Sequence, residues 1–75
     1  MNRILVECVS SVLDIEPEAV MLETSQENTP SWDSLAHIRL ILEIEQTFGI
    51  RFRSQDIPKM TSIANLSSAV SGLGR

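Results

Sequence analysis

The 75-residue sequence predicts an all-α fold, a small four-helix bundle with three main helices plus one short helix and a long first loop. Apolar residues recur at helical spacing in three separate stretches, and polar or turn-forming residues bound each of them. The one short stretch with strand-like alternation has no partner strand elsewhere in the chain. Because a chain of this length has room for only one small core, we expect residues 1–75 to form a single domain.

The first helix is predicted over residues 3–14. Its single apolar stripe is formed by Ile4, Leu5, Cys8, Val9, Val12 and Leu13. Cys8 is the only cysteine, so the chain can form neither an internal disulfide nor a cysteine metal cluster. We therefore expect Cys8 to pack as a small core residue.

The first loop is predicted over residues 15–33, which show no periodicity and contain Pro17 and Pro30. Residues 17–20 are suited to a short helical turn. A loop of this length needs side chains that anchor it to the helices. We expect Trp32 to be such an anchor at the end of the loop. The other expected anchors are Ile15, Val20, Met21 and Leu22.

The strongest helix is predicted over residues 34–48. Asp33 is a good N-cap residue, and Gly49 is a good left-handed terminator. The apolar stripe of this helix consists of Leu35, Ile38, Ile41, Leu42, Ile44 and Phe48. Its opposite, polar face carries Arg39, Glu43 and Gln46.

The remaining residues predict a connector, a short helix and a last main helix. Residues 50–53 should be extended and place Ile50 and Phe52 towards the core, and residues 54–57 should form a helical turn that ends or kinks at Pro58.

Thr61 is expected to cap the last helix, and Gly72 and Gly74 are expected to mark its fraying end. The apolar row of this helix is Ile63, Leu66, Val70 and Leu73.

The charge is distributed unevenly along the chain, whose formal net charge is −4. Residues 1–50 hold nine Asp and Glu against two Arg, a net −7, and residues 51–75 hold four Lys and Arg against one Asp, a net +3. An acidic front half repels phosphate backbones and attracts basic protein surfaces, so nucleic acid is a disfavoured partner.

Targeting signals and membrane spans are not apparent in the sequence. No apolar run approaches the roughly 20 residues that cross a bilayer, and polar residues interrupt the apolar character of the first turn. We expect a cytoplasmic protein. The initial Met1 and the absence of Pro- or Gly-rich linkers predict a freestanding domain.

Ser34, one of ten serines, opens the strongest helix. The unpaired amides and the dipole at a helix start favour a phosphate group, so the position suits a serine that carries a phosphodiester. By itself this is a weak signal, because serine is common at helix starts.

Three longer stretches together resemble the acyl carrier protein family over about residues 3–71: D-I-E-P-E-A-V, then W-D-S-L-A-H-I-R-L-I-L-E-I-E-Q-T-F-G-I, then Q-D-I-P-K-M-T-S-I-A-N-L. The resemblance implies that Ser34 receives 4′-phosphopantetheine from coenzyme A through a phosphopantetheinyl transferase. Asp33 would help to hold the magnesium ion during that transfer. The arm's thiol would then carry an acyl or aminoacyl group as a thioester, so the chain would be a carrier and not itself an enzyme. No metal is expected to reside in it.

The same resemblance implies that partner enzymes read the helix of residues 34–48. The residues assigned to partner recognition are Leu35, His37, Ile38, Arg39 and Glu43. His37 is expected to be a surface residue beside the arm. The expected partners, besides the transferase, are an acyl- or aminoacyl-loading ligase or transferase and a downstream acyltransferase or synthase, each meeting a monomeric carrier.

The sequence departs from fatty-acid carriers, whose recognition helix is strongly acidic. Here His37 and Arg39 lie on that helix, and residues 51–59 are basic. This favours a specialised pathway, such as one for a polyketide, a modified sugar or lipid, or an amino acid. Two alternatives stay open: a D-alanyl, aminoacyl or peptidyl carrier, and an unmodified helical adaptor that keeps the carrier fold.

Overall fold

The computed structural model describes residues 2–73, with side chains as far as residue 71. Three α-helices occur in this range: α1 (Arg3–Leu13), α2 (Ser34–Phe48) and α3 (Ile63–Leu73). Two single 3₁₀ turns, Pro17–Ala19 and Ile57–Lys59, lie in the connections. Residues 2–73 contain no strand, only an isolated antiparallel bridge between Ser25 and Ser62. The all-α prediction is confirmed, and the predicted fourth helix is a single 3₁₀ turn.

Helix α1 begins at a side-chain cap and ends at a left-handed residue. The Asn2 Oδ1 atom accepts hydrogen bonds from the amides of Ile4 at 2.8 Å and Leu5 at 3.3 Å. Asp14 has a φ of 56° and closes the helix through its own amide, so α1 stops one residue before the predicted end. The predicted stripe is buried at Leu5, Cys8, Val9 and Leu13 but not at Ile4, which is half exposed.

The loop of residues 14–33 is attached to the start of α3 by backbone hydrogen bonds. The Thr24 carbonyl accepts from the Ile63 amide and the Gln26 amide donates to the Thr61 carbonyl, both at 2.8 Å. Val20 is buried and Ile15 is partly buried against the core, as predicted.

Two of the predicted anchors of this loop are wrong, because the Met21 and Leu22 side chains are 53% and 52% exposed. The backbone holds this part of the loop instead, since the Leu22 carbonyl accepts from the Ala64 amide at 3.3 Å.

Helix α2 packs only one side into the bundle. That side consists of His37, Leu40, Ile41 and Ile44, with Phe48 partly buried beside them. Leu35, Ile38 and Leu42 are exposed, so the predicted apolar stripe was too broad. At about 100° per residue these three side chains fall on a different face of the helix from the buried Leu40 and Ile44.

The connector after α2 has the predicted form. Phe52 is buried, Ile50 packs partly against the core, and the Phe52 amide donates to the Glu45 carboxylate at 2.8 Å. Pro58, however, lies inside the second 3₁₀ turn and does not end a helix. Its fixed φ and missing N–H suit the first positions of a turn, where the amide has no helical acceptor.

Helix α3 is capped by Ser62 and not by Thr61 as predicted. The Ser62 hydroxyl accepts from the Asn65 amide at 3.1 Å, and its carbonyl accepts from the Leu66 amide at 3.0 Å. Ile63, Leu66 and Val70 are buried as predicted. The side chain of Leu73, the side-chain surroundings of Gly72, and Gly74 as a whole lie outside what the structure describes.

Capping by Ser62 predicts that Ser62→Ala lowers the free energy of unfolding by about 1 kcal/mol, because it leaves the Asn65 amide without its acceptor. Thr61→Ala, the neighbouring change to the same residue, should have a smaller effect. Urea denaturation of both variants checks this prediction. A larger loss in Thr61→Ala would contradict the assignment of the cap.

Candidate functional site

Ser34 is exposed and is the first residue of α2. Asp33 precedes it as the N-cap: its Oδ1 atom accepts from the Ala36 amide at 2.8 Å, and its carbonyl accepts from the His37 amide at 2.9 Å. The predicted cap and the predicted helix start are therefore both confirmed. The cap fixes the backbone on either side of Ser34, while the Ser34 hydroxyl stays accessible to solvent.

The first turn of α2 is suited to hold an anion. The first amides of an α-helix have no intrahelical acceptor. The Asp33 carboxylate accepts from that of Ala36, which leaves the amides of Ser34 and Leu35 for solvent or a bound anion. The dipole of this 15-residue helix adds partial positive charge at the same end. A phosphodiester on the Ser34 hydroxyl would lie beside these amides, so the residues present fit such a group.

His37 is not on the surface, contrary to the sequence prediction. It is 6% exposed and lies on the core side of α2, one helical turn after Ser34. The Trp32 indole N–H donates to its Nδ1 atom at 3.1 Å. Its Nε2 atom lies 2.7 Å from the Ile57 carbonyl oxygen. The imidazole is buried because both of its nitrogens find partners inside the protein.

The partners of His37 also determine its tautomer. Indole nitrogen can only donate and a carbonyl oxygen can only accept. Nδ1 must therefore be the acceptor, and Nε2 must carry the proton that is donated to Ile57. The result is a three-residue chain, the Trp32–His37–Ile57 chain, which joins the end of the first loop, the first turns of α2 and the second 3₁₀ turn.

Trp32 is the packing anchor that the sequence predicts, with 1% of its surface exposed. The sequence analysis did not predict that His37 is the hydrogen-bond partner of Trp32, although the helical spacing of His37 indicates that it is buried. His37 precedes Leu40, Ile41 and Ile44 by three, four and seven residues, which places it on the buried row of α2. His37 is therefore not part of the exposed surface of α2.

The other residues assigned to partner recognition are exposed along α2. They are Leu35, Ile38, Arg39 and Glu43. They lie on the side of the helix that does not pack into the bundle, and they extend away from Ser34 for about two and a half turns. The structure brings them together on one accessible surface.

No cluster of three or more His, Cys, Asp or Glu side chains in residues 2–73 could hold a metal ion. Among the same residues, no helix combines the length and the apolar character needed to cross a membrane.

Comparison with known families shows to which family the chain belongs. The family model described as phosphopantetheine attachment site matches residues 3–70. The chain belongs to this family. Its members carry 4′-phosphopantetheine covalently and act as carriers, so the predicted cofactor and the predicted likeness to acyl carrier proteins are confirmed. A search of curated proteins gave no significant match.

The Trp32–His37 hydrogen bond predicts a measurable coupling between these two residues. Trp32→Phe leaves the His37 Nδ1 acceptor buried without a donor, and His37→Phe leaves the indole N–H without an acceptor. A double-mutant cycle should give a coupling free energy of about 1–2 kcal/mol in urea denaturation. The Ile57 carbonyl is unpaired in both His37 variants, so its contribution cancels. Additive effects of the two changes would show that the bond contributes nothing.

Proposed function

We propose that Ser34 is the attachment site of the arm and that the chain shuttles an acyl or aminoacyl group between enzymes. The supporting observation is the exposed Ser34 hydroxyl at the start of α2, beside the amides of Ser34 and Leu35. A transferase needs access to a fixed hydroxyl, and the product phosphodiester needs stabilisation. The helix start offers both.

Attachment would proceed by transfer from coenzyme A. The Ser34 Oγ atom attacks the phosphorus next to the pantetheine arm, and the bond from that phosphorus to the bridging oxygen breaks. Adenosine 3′,5′-bisphosphate leaves, and the serine proton passes to a base on the transferase. Asp33 would contribute a carboxylate oxygen to the magnesium ion that screens the phosphates, since magnesium prefers oxygen ligands. The attached arm supplies a thiol on which cargo is carried as a thioester.

Carriers of this family work with phosphopantetheinyl transferases and acyl-processing enzymes. For this chain we infer a specialised biosynthetic pathway, with its own loading ligase or transferase and a downstream acyltransferase or synthase. The inference rests on the exposed Arg39 of α2 and on the exposed Arg51, Arg53 and Lys59, where fatty-acid carriers are acidic. We infer further that the carrier is monomeric and cytoplasmic.

Two other functions remain candidates. A D-alanyl, aminoacyl or peptidyl carrier would use the same arm on Ser34 and would differ only in cargo. An unmodified adaptor that keeps the carrier fold would have no need of an exposed serine at this position. The intact Asp33-Ser34-Leu35 sequence therefore favours a modified carrier.

The attachment site predicts the outcome of incubation with coenzyme A, magnesium and a broad-specificity phosphopantetheinyl transferase. Intact mass spectrometry should show one added arm on the wild type and none on Ser34→Ala. Ser31→Ala is a matched control, because Ser31 is also exposed and lies three residues earlier. It should be modified like the wild type. A wild type that several transferases leave unmodified would favour the adaptor.

The role of Asp33 can be separated from its capping role by Asp33→Asn. Asparagine caps helices as well as aspartate does, so the stability should change little. The loss of a magnesium ligand should slow transfer on the order of tenfold, and added magnesium should restore part of the rate. The rate of arm transfer at several magnesium concentrations checks this. An unchanged rate would remove Asp33 from the metal-binding step.

A further inference from the structure

The exposed side of α2 forms an apolar row that nothing else in the described chain covers. Leu35, Ile38 and Leu42 are 62%, 49% and 52% exposed. Spacings of three and four residues align these side chains along the helix, starting directly after Ser34. A contiguous apolar row on a small protein marks an interaction surface, whereas isolated exposed leucines do not.

Leu42 lies between two open grooves. The first has a volume of about 430 Å³ and is lined by Ser11, Val12, Arg39, Leu42, Glu43 and Gln46. The second has a volume of about 420 Å³ and is lined by Leu42, Glu45, Gln46, Gly49, Ile50 and Arg51. We call the apolar row together with these two grooves the α2 ridge. Leu42 is thus a protruding side chain with an arginine on each side.

The charges of the α2 ridge differ from those of the rest of the chain. Arg39 and Arg51 are both exposed, one in each groove. Of the two acids in the grooves, Glu45 is partly buried and accepts from the Phe52 amide, so Glu43 is the exposed carboxylate of the ridge. The other exposed acids of residues 1–33 lie on α1 and in the first loop. The exposed charges of the ridge are therefore two arginines and one glutamate, in a chain with a net charge of −4.

We propose that the α2 ridge docks a partner protein that has an apolar socket for Leu42, with carboxylates on both sides for Arg39 and Arg51. Exposed arginines beside an apolar side chain resemble the residues that contribute most to protein interfaces. Charge complementarity selects an acidic partner face, because a basic face would meet Arg39 and Arg51 directly. The proposal rests on the proposed carrier function and states which enzymes that carrier serves.

Anionic membranes and a second copy of the chain are weaker candidates for the same surface. The acidic first loop would repel a sheet of anionic headgroups, which extends well beyond the ridge. A second copy could offer the groove of its own acidic loop, which is lined by Ile15, Met21 and Glu23 among others. It would also bring its whole net charge of −4, and two chains of like charge repel each other. A compact acidic protein face avoids both problems.

A charge-swap experiment tests the proposal. The probe is a phosphopantetheinyl transferase that serves carriers with an acidic helix, together with a variant in which its basic carrier-binding residues are changed to Glu. Wild-type carrier should be modified at Ser34 with a higher kcat/KM by the acidic variant than by the parent. The double variant Arg39→Glu, Arg51→Glu should reverse this preference, and each pairing should change by about tenfold at low salt.

Control variants separate the effect of the ridge charges from the effects of net charge and of misfolding. Arg3→Glu reverses a charge outside both grooves and should leave the wild-type preference for the acidic transferase variant unchanged. Adding Arg3→Glu to the double variant should likewise leave the reversed preference of the double variant unchanged. Matching circular dichroism and urea midpoints should show that the double variant is folded. Leu42→Gln should lower kcat/KM with both transferases, because the apolar anchor is common to both.

The possible outcomes distinguish this proposal from the proposed function. If no transferase modifies Ser34, the carrier function itself fails. If Ser34 is modified but the double variant leaves the preference unchanged, the function stands and the docking surface is wrong. Two further results would overturn the proposal: a dimer in sedimentation that Arg39→Glu abolishes, and binding to vesicles of anionic phospholipid that Arg39→Glu abolishes. Either result would show that the ridge has another occupant.

Discussion

The Trp32–His37–Ile57 chain joins three segments of the fold through buried hydrogen bonds. Trp32 ends the first loop, His37 lies one turn into α2, and Ile57 begins the second 3₁₀ turn. Burial of a polar imidazole is tolerated only when both nitrogens are paired, so the three segments are linked in one arrangement. Ser34 lies between the first two of these residues. Its position relative to the bundle therefore depends on this chain.

The first loop is long enough to be mobile, yet it is attached to the rest of the protein at its middle and at its end. Its middle is attached to the start of α3 by the bonds of Thr24 and Gln26, and its end is fixed by the buried Trp32. Anchoring at these points reduces the number of conformations that the loop explores, which offsets the cost of ordering it. A fixed loop delivers the same helix start to every enzyme that approaches it.

The helical periodicity of apolar residues predicted which side chains form the core. It did not predict the features that individual hydrogen bonds determine. Leu5, Val9, Leu40, Ile44 and Leu66 fall on helical rows and are fully buried. The cap at Ser62, in contrast, depends on which of two adjacent hydroxyls reaches the Asn65 amide, and spacing alone does not determine that. Met21 and Leu22 are apolar but exposed, because the backbone bonds of the loop make their burial unnecessary.

The candidate site was predictable in its chemistry and less so in its surroundings. Asp33 and Ser34 lie at a helix start whose position follows from the apolar periodicity of α2. The structural role of His37 could be found only from the three-dimensional structure, since its acceptor at Ile57 lies twenty residues further along the chain. A polar histidine on an amphipathic helix suggests a surface residue. Here a single donor from Trp32 and a single acceptor at Ile57 outweigh the preference of histidine for water.

The proposed function separates attachment from recognition along α2 and the residues that follow it. Attachment at Ser34 would depend on the amides, the cap and the hydroxyl at the start of α2, which are determined by backbone geometry. Recognition, as proposed, would depend on Arg39, Leu42 and Arg51, which are exposed and contribute little to the core. Charged residues at the edge of an interface change association rates more than they change the lifetime of the complex, so their sign can select a partner while release stays fast. A carrier that visits several enzymes in turn needs both properties, and the ridge would supply them without any change to the helix start that holds Ser34.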